Sequence, residues 1–203
     1  MSCYIFPTSF GYSSIAYQIK PFLIQFIRLP GSFVYSHNRQ SNALKPQCKE
    51  AETIGIVIQN YYHGKMFDIP WHWMSLKDYT PLQQEVYKET SKIPWGKVQT
   101  YQQIAQRINS PKAYRFVGSC MANNPYPIII PCHRVIRSNG SLGQFGGGIN
   151  LKKSMLLIEQ GLLPFNLNDN NEKRHHEGAI KLDKHYGPLI RERIHYESQI
   201  LAR

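Results

Sequence analysis

A thiol and an imidazole adjacent in sequence, Cys132-His133, stand at the centre of the segment Asn123–Phe145, N-N-P-Y-P-I-I-I-P-C-H-R-V-I-R-S-N-G-S-L-G-Q-F. A cysteine attacks as the thiolate, and a neighbouring base or positive group raises the thiolate fraction. The pair could therefore supply a nucleophile and the base that activates it. Successive side chains on extended backbone point to opposite sides, which leaves room for a bridging water or a third group between them. The blander alternative is a small buried hydrophobe, the usual state of a lone cysteine. Ile128-Ile129-Ile130, flanked by Pro127 and Pro131, reads as buried extended chain with the thiol at the edge of a core.

Other chemistries find less support. Cys3, Cys48, Cys120 and Cys132 form no C-x-x-C and no framework spacing, so free thiols in an intracellular protein are expected. Cys3, Cys48, His37 and His63 lack ligand spacing, and no metal is expected. Gly146-Gly147-Gly148 reads as a turn, with neither a G-x-G-x-x-G pattern nor a Walker lysine-serine. The first residues lack a basic n-region, and the apolar run Phe22–Ile27 is broken by Gln25. Neither a signal peptide nor a membrane span is expected.

Charge points to a partner. The 203 residues carry a formal net charge of +11, which favours a polyanion by steering and counterion release. No Asp or Glu lies between Glu89 and Glu159, whereas Lys92, Lys97, Arg107, Lys112, Arg115, Arg134, Arg137, Lys152 and Lys153 all do. One sign concentrated in one segment is the footprint of nucleic-acid binding; a solvated basic face is the alternative.

The elements that must position these groups can be read in order. Tyr4 to about Leu29 carries β-favouring residues broken by turn formers, two or three strands of a small antiparallel sheet. Ser36–Lys49 is polar and reads as a loop. Ala51–Tyr62 has Ile54, Ile58 and Tyr61 at helical spacing, and Met66–Lys77 reads as a linker. Thr80-Pro81-Leu82-Gln83 and Thr100-Tyr101-Gln102-Gln103 are capping boxes, each opening a helix. A third helix starts at Ser110-Pro111, and two brief helices joined so tightly read as helix-turn-helix. On that third helix Ala113, Phe116, Val117 and Cys120 form an apolar stripe. Arg115, Gly118, Ser119 and Ala122 share another face, suited to close approach to a surface. Gly118 costs about 1 kcal/mol against alanine within a helix. Internal helix packing would explain it equally well. Lys152–Glu159 reads as a helix closed by Gly161 and Pro164, and Pro188–Leu201 as a weak helix in the tail.

The run Asn124-Pro125, Pro127 to Pro131, then Cys132-His133-Arg134-Val135 resembles the active-site motif of the O6-alkylguanine-DNA alkyltransferases. The likeness extends through Ile93 to Val98, Thr100-Tyr101, Pro111-Lys112-Ala113, Arg115, Val117-Gly118, and Gly146-Gly147-Gly148 to Lys152 and Glu159. It covers about Thr80 to Gly161. It implies an α+β fold: a small N-terminal α/β domain with an antiparallel, RNase H-like sheet and a linker over 1–75. A mostly helical, winged helix-turn-helix-like catalytic domain would follow over 76–164, then a tail over 165–203 without an assigned role.

The resemblance also implies roles. Cys132 would accept the alkyl group, His133 would activate it through a water, and Glu159 would orient His133. Asn124 would be the hinge beside the recognition helix, and Tyr101 would lie near the flipped phosphate and guanine. Arg115 would fill the gap left by the extruded base, with Gly118, Ser119, Ala122 and Lys112 along the DNA. Val135, Phe145, Gly146 and Lys152 would shape the base pocket. Gly146 stands where serine is frequent and Phe145 where tyrosine is frequent. The implied reaction is base flipping from the minor groove, then irreversible single-turnover transfer with no cofactor. The implied partner is double-stranded DNA bearing O6-alkylguanine, met by a monomer with no membrane contact, in the cytoplasm or nucleus. A non-catalytic lesion-binding relative is the alternative, but such proteins carry another residue at the cysteine position. A regulator of another helix-turn-helix class would leave P-C-H-R-V unexplained, and a cysteine hydrolase would not explain the arginine-headed small-residue face.

Overall fold

The computed structural model describes residues 1–32, 45–68 and 70–162. The chain opens with three strands, β1 (Ser2–Thr8), β2 (Gly11–Gln18) and β3 (Leu23–Arg28), in an antiparallel sheet of that order. Helix α1 (Lys49–Tyr62) packs on the sheet through Ala51, Ile54 and Ile58, all fully buried. Gly55 sits at the contact. A Cβ there would come within 2.6 Å of the Tyr4 ring, so the bare backbone lets helix and sheet approach closely. The segment read as a linker is fastened down. Trp71–Trp73 forms a single 3-10 turn, Trp73 meets the Phe22 ring edge-on at 5.3 Å, and Met74 bridges to Ile24 of β3.

Both capping boxes form. Thr80 starts α2 (Pro81–Ser91) and Thr100 starts α3 (Tyr101–Arg107). At the second, Thr100 Oγ1 accepts from Gln103 N at 3.1 Å, and Thr100 N donates to Gln103 Oε1 at 2.7 Å. A turn through Asn109, at φ +54°, leads to α4 (Tyr114–Ala122), which packs against α3. This third helix begins later than the Ser110-Pro111 expectation because residues 111–113 form turns instead. The apolar stripe faces inward as read, with Val117 and Cys120 buried.

The triple isoleucine is buried but not extended, contrary to the sequence reading. Residues 126–130 turn back, Ile130 N donates to Tyr126 O at 2.8 Å, and Ile128 takes φ +76°. A β-branched residue there is disfavoured by its own Cβ, so other contacts must hold it. Asn124 does so: its Oδ1 accepts from Tyr126 N at 3.0 Å and its Nδ2 donates to Ile130 O at 2.8 Å. A 3-10 turn, Cys132–Arg134, follows, then a two-residue strand β5 (Val135–Ile136). It pairs in parallel with β4 (Gln99–Thr100) just ahead of α3. Helix α5 runs Ile149–Glu159, starting three residues before the expected Lys152.

The result is a mixed α+β fold with a small antiparallel sheet and packed helices. One contiguous apolar core runs from Phe6 through Tyr61 and Cys132 to Ile158. Most of the expected loop 36–49, the tail over 165–203 and its helix at 188–201 lie outside the described residues. No helix among the described residues is long and apolar enough to cross a membrane.

Because the Thr100 box starts α3 and adjoins β5, Thr100→Ala should destabilise the fold by about 1 kcal/mol. The midpoint of urea unfolding should fall accordingly, at unchanged slope.

Candidate active site

The site is organised by a carboxylate. Glu159, at the end of α5, has no exposed side-chain surface. Its Oε1 accepts from His133 Nε2 at 2.6 Å, from Tyr61 Oη at 3.0 Å and from Arg134 Nη2 at 2.9 Å. Its Oε2 accepts from Arg134 Nε at 2.9 Å and from the backbone N–H of Gly96 at 3.0 Å. Arg134 is completed by a 2.6 Å bond from Nη1 to the carbonyl of Ile93. Burial opposes a charge on Glu159, but the His133 and Arg134 contacts outweigh it and hold the carboxyl at about 2.

His133 is wholly buried, and burial lowers its pKa against the pull of Glu159. It is therefore a neutral imidazole beside an ionised carboxylate. Nε2 must carry the hydrogen given to Glu159, which leaves Nδ1 as an acceptor with no hydrogen-bond partner among the described residues. A neutral imidazole with one nitrogen locked and the other free is a poised base.

Cys132 precedes it in the same 3-10 turn, 4% exposed, its N–H bonded to Ile130 O at 2.8 Å. Burial raises the thiol pKa, while a hydrogen bond from Asn124 and the positive charge of Lys152 lower it. Lys152 is wholly buried in α5 and clamps two carbonyls, Val135 O and Leu142 O, each at 2.6 Å. Burial brings its ammonium down to about 8. Its Nζ stands 5.9 Å from the centre of the Phe145 ring. The Val135 carbonyl is thus already engaged by Lys152.

Beside this buried set lies an open cleft of about 900 Å³, whose lining includes Tyr101, Gly118, Ala122, Arg137, Phe145 and Gly146. Burial, and then the charge Cys132 would carry as a thiolate, raise the Tyr101 phenol pKa. Gly146 has open space where a side chain would go. On α4, Arg115, Ser119 and Ala122 are exposed, as is Lys112 just ahead of it. The Arg115 guanidinium lies 5.8 Å from the centre of the Tyr114 ring. A Cβ on Gly118 would meet the Tyr101 ring at 4.0 Å, an ordinary contact, so packing inside the protein does not require that glycine.

The structure therefore brings Cys132, His133, Glu159, Asn124 and Lys152 together, with Tyr101, Phe145 and Gly146 at the adjoining cleft and Arg115 on the outer face. Three contributors escaped the sequence reading. Arg134 counted there as part of the basic footprint, although it is 9% exposed and spent on Glu159. Tyr61 fitted the apolar spacing of α1, and nothing local distinguishes its hydroxyl from a core ring. Gly96, at φ +70°, also presents its N–H to Glu159; its place in Ile93 to Val98 was the available signal.

Arg134→Ala would strand a buried carboxylate and should cost about 3–5 kcal/mol in denaturant unfolding. The pH dependence has a defined sign. Glu159 titrates lower in the fold, about 2 against an ordinary 4.5, so its stabilisation is complete above about 4.5 and lost as pH falls toward about 2. Glu159→Gln should be less stable at neutral pH and should lose that acid-side slope.

Residues 81–161 match the family model described as the DNA-binding domain of 6-O-methylguanine DNA methyltransferase. A methylated-DNA–protein-cysteine methyltransferase of Methanosarcina mazei is 40% identical over 108 residues, 52% of this chain and 66% of the relative. One from Mycobacterium tuberculosis is 44% identical over 88 residues, 43% of this chain and 53% of the relative. The chain thus spans about half to two thirds of the length of these curated relatives. The crystal structure of Mycobacterium tuberculosis OGT in complex with DNA superposes with a TM-score of 0.64 at 28% identity. That match covers 81% of this chain and 96% of the other. An O6-methylguanine-DNA methyltransferase from Pyrococcus kodakaraensis shares the fold at 23% identity and a TM-score of 0.58, covering 77% of this chain and 98% of that one. Residues 81–161 are thus similar to the DNA-binding domain of the 6-O-methylguanine DNA methyltransferases.

Proposed function

We propose that this protein repairs duplex DNA carrying O6-alkylguanine by moving the alkyl group irreversibly onto its own Cys132. The observation that carries the reading is the buried Cys132–His133–Glu159 set, with a neutral His133 whose Nδ1 is free and whose Nε2 is fixed. The Cys132 proton passes through a bridging water to His133 Nδ1. The thiolate attacks the alkyl carbon in line, a C–S bond forms and the carbon–O6 bond breaks. The electron pair leaves with guanine, which takes a proton back from the relay. The product is a thioether with no acyl bond to hydrolyse, so each molecule acts once and needs no cofactor.

A thiol 4% exposed cannot reach a base stacked in a duplex, so the target nucleotide must be extruded. In this reading α3 and α4 form the helix-turn-helix of a winged catalytic domain over 76–164, lying in the minor groove. Residues 1–75 form an RNase H-like N-terminal domain, and the tail over 165–203 has no assigned part. Arg115 takes the vacated place in the stack. Gly118, Ser119 and Ala122 allow close approach, a use supported by the room around Gly118. Lys112 contacts the backbone. Tyr101, Phe145, Gly146 and Val135 shape the base pocket, Lys152 braces it from behind, and Asn124 holds the hinge. The protein works as an intracellular monomer.

Incubation with duplex oligonucleotide containing O6-methylguanine should add one methyl group per chain, on the peptide bearing Cys132, and then stop. Persistence of the lesion on bound protein with unmodified Cys132 would overturn the reading. Cys132→Ser should bind and not transfer. Arg115→Ala should slow repair of duplex on the order of tenfold or more while reacting normally with the free modified base.

A further inference from the structure

The Tyr61 hydroxyl lies 3.0 Å from His133 Nε2 and 3.0 Å from Glu159 Oε1, two atoms that are themselves 2.6 Å apart. We propose that Tyr61 is a positioning residue for the His133–Glu159 pair, so that α1, outside the 81–161 segment, supplies part of the reacting centre. The inference rests on the reading of Cys132 as the alkyl acceptor.

Tyr61 is fully buried, and burial first, then the Glu159 charge, keep its phenol protonated. It has one proton to give and lone pairs to receive with. The proton goes to Glu159 Oε1. Its lone pairs then face His133 Nε2, which must carry hydrogen to suit both neighbours. Tyrosine and carboxylate thus select the same tautomer, the one with Nδ1 bare. The ring is gripped edge-on by Tyr62 at 5.3 Å and Trp95 at 5.4 Å, so the hydroxyl has a fixed aim.

The charged and titratable groups facing His133 are Glu159 and Lys152 from α5, Cys132 and Arg134 from its own turn, and Tyr61 from α1. Tyr61 can be changed without altering a charge. Phenylalanine would keep the ring contacts and remove the donor to Glu159. The carboxylate would then bear more heavily on Nε2–H, making His133 a stronger but less firmly held base.

The test compares Tyr61→Phe with Tyr62→Phe, whose hydroxyl is equally buried but makes no contact with the pair. Tyr61→Phe should bind lesion DNA as the wild type does and transfer the methyl group on the order of tenfold more slowly. The acid limb of its pH–rate profile should move to higher pH, and Tyr62→Phe should change neither. The His133 pKa, followed by 15N NMR without DNA, should rise in Tyr61→Phe. That readout holds whether or not any alkyl group is transferred, so failure of the positioning role is separable from failure of the transfer reading. An unshifted His133 pKa, or an equal slowing by both variants, would overturn the proposal. If Tyr61→Phe does not fold, the wild-type spectrum decides. A Tyr61 hydroxyl proton with an Overhauser contact to His133 Nε2–H supports the role, and hydrogen on Nδ1 of neutral His133 overturns it.

Discussion

The structure depends on keeping one carboxylate ionised inside a protein. An unpaired buried charge costs several kcal/mol, so Glu159 is tolerable only if it is saturated with donors. Those donors come from distant parts of the chain: Tyr61 on α1, the Gly96 N–H before β4, and the His133-Arg134 pair after Cys132. Each segment is drawn to the same point, and withdrawing any one would leave polar groups bare in the core. The carboxylate therefore fixes tertiary arrangement and tautomer at once. Its bond to Nε2 leaves Nδ1 as the basic nitrogen of His133.

Helix α5 works as a rail for the turn that carries Cys132. Lys152 and Glu159 are seven residues apart, two turns along one face, and both are buried. Glu159 holds His133 and Arg134, while Lys152 holds the Val135 carbonyl directly after them. The segment from Cys132 to Val135 is thus pinned from one helix by two opposite charges. From the other side Asn124 closes the turn that forces Ile128 to positive φ. The β4–β5 ladder then couples this pinned segment to the start of α3, one residue from Tyr101.

The sequence reading succeeded where a local rule has a single structural solution. Thr80 and Thr100, each with glutamine three residues on, become capped helix starts, and the spacing of Ile54, Ile58 and Tyr61 becomes the inner face of α1. It failed where the same composition serves two geometries. Three isoleucines between prolines satisfy a buried turn as well as a buried strand, and only the side-chain bonds of Asn124 choose. Strands of two residues, such as β4 and β5, are too short to carry a period. Charge was legible in sum but not in place. Lys92 and Arg107 pair with Glu89, Arg134 and Lys152 are interior, Lys97 and Lys153 are half-buried, and Lys112, Arg115 and Arg137 are exposed.

The charges within the core bear on the state of the thiol. Arg134 and Glu159 cancel, His133 is neutral, and Lys152 remains a buried cation held by two carbonyl dipoles, with the Phe145 ring 5.9 Å away. Burial has already lowered its ammonium to about 8. Burial alone would also keep Cys132 neutral. Ionising the thiol sets an anion near that cation, and each charge then offsets the desolvation of the other. In the proposed reaction this balance lasts only until the sulfur is alkylated. The thioether carries no charge, Lys152 loses its partner, and the proton held by His133 must leave with the guanine. Alkylation therefore returns the core to a buried cation beside a neutral sulfur, the same charge arrangement it held before the thiol was ionised.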